Sequence, residues 1–168
     1  LNGADHESWC TPEYKARAGD SPLPLFPCEL YLDGVSFAKH DSVLGITLGN
    51  CLTKVKHLAV ASRKSTFCKC GCKGWCSLFC VFDFLRWSLA ALLQGVFPCS
   101  RHDLLPWAVL DAYRSELAGS AMRIRGFVVR LKGDWAEFAH SLGFPSWASQ
   151  LFPCLFCHAS KEELYRFR

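Results

Sequence analysis

Two aspartates stand at the ends of strand-like runs: Asp33 closes Glu29-Leu30-Tyr31-Leu32-Asp33, and Asp134 closes Phe127-Val128-Val129-Arg130-Leu131-Lys132-Gly133-Asp134. Carboxylates fixed at neighbouring strand ends can hold divalent cations for phosphoryl transfer, which mobile surface carboxylates cannot. If the two converge, they offer hard oxygen ligands to a pair of Mg2+ or Mn2+ ions about 3.5 to 4 Å apart. A structural reading competes: Asp33 precedes Gly34 as turn chemistry, and Asp134 caps a helix starting at Trp135. The aspartates are 101 positions apart, so only neighbouring strands could bring them together.

Thiols supply the other chemistry. Cys68, Cys70, Cys72 and Cys76 fall within nine residues, and Gly71 and Gly74 permit the tight turns that bring sulfurs to about 2.3 Å from zinc. The C-x-C-x-C spacing is tighter than the usual C-x-x-C knuckle, so His57 or Cys80 could replace one ligand. Cys154-x-x-Cys157, with His158 beside it, is half a second site whose partners must come from elsewhere. The remaining five of the 11 cysteines are scattered, which fits reduced thiols in an intracellular protein. His40, His102 and His140 have no telling neighbours. Trp75, Trp87, Trp107, Trp135 and Trp147 read as core and platform residues, not as base-stacking surfaces.

The elements that must position these groups follow from periodicity. Residues 1–27, with Pro12, Pro22, Pro24 and Pro27, read as a flexible arm, and the folded part begins near Cys28. Strands are expected over 29–35, 42–49 and 56–61, joined as an antiparallel meander. A buried helix over 77–94 ends at Gly95, and an amphipathic helix is expected over 105–118. A strand over 121–131 follows, its Arg123, Arg125 and Arg130 facing water or a polyanion, then a helix over 135–142. This order predicts an α/β fold, a mixed sheet flanked by helices, in a single domain.

The longest apolar stretch, 76–96, contains Asp83, Arg86 and Gln94, so a buried helix is expected there and no membrane partner. The chain starts without Met and stops as a helical pattern begins, which suggests a fragment. Its net charge of +4 is compatible with nucleic acid without requiring it.

The motifs, taken in order, resemble transposases of eukaryotic DNA transposons that use an Asp-Asp-Glu triad on a ribonuclease-H-like fold, the CACTA-type elements and their relatives. Tyr31-Leu32-Asp33-Gly34-Val35-Ser36-Phe37 with Asp41-Ser42-Val43-Leu44-Gly45 looks like the first-aspartate strand and its turn. Cys68-Lys69-Cys70-Gly71-Cys72-Lys73-Gly74-Trp75-Cys76 looks like a metal-binding insertion, here 66–76. Gly133-Asp134-Trp135, Gly143-Phe144-Pro145-Ser146 and the Cys154/Cys157/His158 motif look like the second-aspartate segment.

The resemblance implies that 28–168 is a truncated ribonuclease-H-like catalytic domain with structural zinc, of transposase or nuclease ancestry and inactive by itself. Asp33 and Asp134 would hold Mg2+ or Mn2+, and the DNA partner would be transposon ends. It also implies action in the nucleus of a eukaryotic host and allows a homo-oligomer. The third acid should lie on a later helix, where Glu162 and Glu163 are the only candidates. Asp83 is the alternative, since ribonucleases of that fold carry an acid on the first helix. Two other readings stand beside it: a non-catalytic zinc-stabilised module that binds nucleic acid or protein, and a ribonuclease-like hydrolase using Asp33, Asp83 and Asp134.

Overall fold

A computed structural model describes residues 10–19, 21–39, 41–146, 148–151, 153–154 and 160–163. Strands β1 (Leu25–Ala38), β2 (Asp41–Asn50), β3 (Lys56–Arg63) and β4 (Arg125–Gly133) form one mixed sheet in the order β3-β2-β1-β4. The helices are α1 (Pro12–Gly19), α2 (Trp75–Gln94), α3 (Ala112–Leu117) and α4 (Trp135–Ser141). The first three strands are the expected antiparallel meander, with Leu32 opposite Ile46 on β2 and Ile46 opposite Val60 on β3. β4 instead runs parallel to β1, from Leu25↔Arg125 to Leu32↔Gly133. A parallel return needs a long crossover, and α2 with the segment after it supplies one.

Strand alternation divides the sheet into two chemically different faces. Leu32, Leu44 and Ile46 point to one side and pack against Leu78 and Leu85 of α2, with Leu30, Val60, Phe82 and Leu89 at the margin. Leu32 and Ile46 are 1% and 0% exposed, and full burial of such side chains stabilises by roughly 1.5 to 3 kcal/mol each. The other face carries Glu29, Tyr31 and Asp33. There Lys132 Nζ lies 2.7 Å from Glu29 Oε2, and Lys56 Nζ lies 5.7 Å from the Tyr31 ring centroid.

The structure departs from the sequence expectations at several points. α2 is not buried all round: Leu78, Leu85 and Ala91 are buried, but Trp75, Phe79 and Phe84 on its outer side are exposed. The helix has a single sheet face to pack against, and its apolar residues encircle it. It is long and apolar enough by length and composition to cross a membrane. The expected arm contains α1, and β1 starts within it, at Leu25. Tyr14 Oη donates to Leu25 O at 2.6 Å, and Arg125 Nη2 donates to Ala18 O and Leu23 O at 3.3 and 3.4 Å. Arg125 is therefore a buried anchor, 4% exposed, not a residue facing a polyanion.

The helix expected over 105–118 shortens to a 3-10 turn at Val109–Asp111 and the six residues of α3. Val109 and Leu110 are almost fully exposed, so no packing supports a longer helix. Trp107 Nε1 donates to Pro98 O at 3.2 Å, tying the preceding loop back to the end of α2. β4 begins at Arg125, later than expected, because Ala121 bridges to Val96 and Met122 N donates to Gly95 O.

Asp41 closes the β1–β2 hairpin onto the end of β3. Its carboxylate accepts from Arg63, from Ser65 Oγ at 2.8 Å, and from the backbone N–H groups of Ser65 and Ser42. The Arg63 guanidinium and then the Ser65 hydroxyl hold this carboxyl down at about 2, below its ordinary 3.8. A folded-state value below the unfolded one adds stability above the unfolded value and loses it as pH falls towards the folded one. Thermal unfolding between pH 5 and 2 should therefore show a decline that Asp41→Asn reduces. Leu32→Ala should cost about 2 to 5 kcal/mol in denaturant unfolding, while Leu58→Ala, on the edge strand and 65% exposed, should stay within about 0.5 kcal/mol.

Candidate functional site

β4 ends at Gly133 beside Leu32 of β1, while β1 runs on to Ala38 in its pairing with β2, so Asp134 follows a strand end as expected but Asp33 lies within its strand. Leu32↔Gly133 is the last pair of the parallel ladder, so Asp33 and Asp134 are the next residues on adjacent chains. Neighbouring strands lie about 4.8 Å apart. Asp134 is still extended, with φ −75° and ψ 166°. The Tyr31 phenol reports the resulting negative charge: the Asp33 carboxylate raises its pKa above the ordinary value, assisted by desolvation, a hydrogen bond to Asp33 and the charge of Asp134. Tyr31, Asp33 and Asp134 thus lie around the last rung of the β1–β4 ladder.

Asp134 also performs the capping role that its position before Trp135 suggested. Its Oδ1 accepts Glu137 N–H at 2.6 Å, satisfying an otherwise unpaired donor in the first turn of α4. Glu137, which sequence reasoning missed, is 5% exposed. Its carboxylate binds Lys64 Nζ and accepts from Ser141 Oγ. A Cβ on Gly34 would fall 2.2 Å from Glu137 Oε1 and 2.8 Å from Lys64 Nζ, so the missing side chain makes room for this ion pair. Gly34 opens onto the core face, opposite Asp33, which places the pair across the sheet from the two aspartates. The pair ties the turn after β3 to the helix after β4.

The other acidic candidates are engaged elsewhere. Asp83 Oδ1 accepts from Arg86 Nε and Nη2 at 3.1 and 2.9 Å, one turn along α2. Glu163 accepts Ser160 N–H at 2.7 Å in a local turn, and Glu162 beside it is exposed. Among the described residues, no three carboxylates gather closely enough to share an ion.

The four-thiol cluster does assemble. The sulfurs of Cys68, Cys70, Cys72 and Cys76 all lie within 4.8 Å of one another, with Cys70 and Cys76 3.8 Å apart. A tetrahedron with Zn–S bonds of about 2.3 Å has edges of about 3.8 Å, so the set fits a metal such as zinc. Gly71 and Gly74 have φ values of 93° and 87°, which their lack of a Cβ allows, and Lys73 between them also has a positive φ, 54°. Cys76 N–H donates to the Cys72 sulfur at 3.4 Å. That donor, with the neighbouring Cys70 thiol, lowers the Cys72 pKa to about 6, while the crowding of Cys72, Cys70 and Cys68 pushes Cys76 up to about 12. The first proton leaves readily and the last does not, unless a cation takes its place.

His57 and Cys80 stay outside the cluster, as does the half-buried Cys154. Cys157 and His158 lie outside the described residues.

Purified protein should hold about one zinc per chain, and Cys72→Ser should lose it by elemental analysis. Because zinc displaces protons from several thiols, its affinity should fall at least tenfold per unit as pH drops from about 8 towards 6. Lys64→Met should destabilise the fold by about 1 to 3 kcal/mol, discounted because the lysine is partly exposed, by leaving Glu137 buried without its cation. Comparisons with protein-family models, curated proteins and solved structures find no significant match for the chain.

Proposed function

We propose that the chain is a transposase-like protein of the DDE type, built on a ribonuclease-H-like sheet and directed at metal-dependent DNA strand cleavage and transfer. The observation that carries this reading is the parallel register of β1 and β4, whose last pair, Leu32↔Gly133, is followed on the two strands by Asp33 and Asp134. The strand order β3-β2-β1-β4, with an antiparallel meander followed by a helical crossover, supports it further. Asp33 and Asp134 would hold Mg2+ or Mn2+, one ion activating water or a 3′-hydroxyl and another stabilising the leaving oxygen. The thiolate cluster between β3 and α2 would hold zinc structurally. Transposon ends would be the DNA partner, in the nucleus of a eukaryotic host, with copies of the chain acting together.

One observation favours a second reading, a zinc-stabilised module that binds without catalysis: Asp134 already caps α4, and no third carboxylate joins the pair among the described residues. The hydrolase reading through Asp83 is weaker, since that carboxylate is paired with Arg86.

Asp33→Asn should abolish Mg2+- or Mn2+-dependent cleavage of duplex DNA while zinc content and unfolding stay as in the unaltered chain. Cleavage at the original rate would refute the assigned role. DNA binding with no cleavage by either protein would favour the binding module.

A further inference from the structure

Beside the C-terminal half of α2 lies a cavity of about 860 Å3. Phe84 and Trp87 of α2 form one wall, while Trp107 and Tyr113 of the segment leading to β4 form the other, and Arg101 and Arg114 also line it. The rings are mutually braced: Trp87 and Trp107 have centroids 6.1 Å apart at 61°, and Phe84 and Trp87 are 5.6 Å apart. Backbone bonds from Phe97 N to Ser120 O at 2.9 Å and from Met122 N to Gly95 O at 2.7 Å close the segment on itself. Phe84, Trp87 and Trp107 are therefore held in place by one another, while Tyr113 stands exposed at the rim.

The lining selects a chemical class. Aromatic faces at this density favour a planar π system or a cation. Two guanidinium groups disfavour the cation: Arg114 lies 5.8 Å over the Trp107 ring, and Arg101 sits at the same cavity. The acids that could attract a cation are occupied, Asp111 with Arg114 at 3.0 Å and Asp103 with Arg101 at 2.8 Å. Each guanidinium keeps further donors for an anion. A purely aliphatic ligand would leave both arginines unused.

We propose that this cavity binds a nucleotide, its base against Trp107 and Tyr113 and its phosphate on Arg114 and Arg101. The same chemistry could come from a free mononucleotide or from an unpaired nucleotide in a strand. The site stands apart from the aspartates and does not depend on DNA cleavage.

The test titrates the zinc-loaded full chain, followed by tryptophan fluorescence, with deoxyadenosine monophosphate, base-free 2-deoxyribose 5-phosphate, and an eight-nucleotide single strand. The monophosphate should bind and the base-free sugar phosphate should not. Tyr113 is 73% exposed, so Tyr113→Ala spares the packing, and it should weaken nucleotide binding roughly 5- to 150-fold. Arg114→Gln should weaken it and flatten its salt dependence. If the strand binds more tightly than the mononucleotide, the source is a nucleic acid; if the two bind equally, it is the free nucleotide. Equal binding of the base-free sugar phosphate, absence of binding by any of the three, or unchanged affinity in Tyr113→Ala would overturn the proposal.

Discussion

The parallel pairing of β1 with β4 is the constraint on which the rest of the structure depends. It joins segments about a hundred residues apart and completes the surface on which Leu32, Leu44 and Ile46 meet α2. It also ends beside the middle of β1, where Asp33 and Asp134 are the next residues beyond its last rung. Such a long-range pairing is entropically costly to close and needs contacts beyond its own ladder. Arg125 supplies one at the start of β4, through the carbonyls of Ala18 and Leu23. The Lys64–Glu137 pair supplies another at its end, seated over Gly34.

This arrangement separates the apolar packing from the polar groups. The core face of the sheet holds the apolar cluster and the clamping ion pair, and the polar face holds Tyr31, Asp33 and the Glu29–Lys132 pair. Asp134 connects the two, since its position beside Asp33 comes from β4 and its carboxylate stabilises α4. A carboxylate held by a backbone donor is oriented in advance. A metal would have to share that carboxylate with the cap, through its second oxygen. A metal held by Cys68, Cys70, Cys72 and Cys76 would stiffen the turn that leads from β3 into α2.

What could be read from residue order follows the range of each interaction. The meander was legible because alternation and short connections are local, and the four-cysteine cluster because its ligands lie within nine residues. The span of α2 was legible from its apolar residues and Gly95, but its half-exposed state was not, since only tertiary contacts decide which side is covered. For the two aspartates residue order supplied only a condition, neighbouring strands, which the parallel β1–β4 register meets, and the helix cap at Asp134 was legible from its place before Trp135. Glu137 and Lys64 gave no signal, because 73 positions separate them and each alone is an ordinary surface residue type. Arg125 misled for a similar reason: its partners are backbone carbonyls of a segment that reads as a linker.

Asp33 and Asp134 would together form one cation site beyond the last rung of the β1–β4 ladder. A crystal structure of the zinc-loaded chain soaked with Mn2+ tests it most directly, through anomalous scattering that distinguishes manganese from zinc. Manganese coordinated by carboxylate oxygens of both Asp33 and Asp134 is expected, with zinc confined to Cys68, Cys70, Cys72 and Cys76. Carboxylates more than about 8 to 10 Å apart, too far for two metals spaced as such sites require, with no manganese between them, would contradict it.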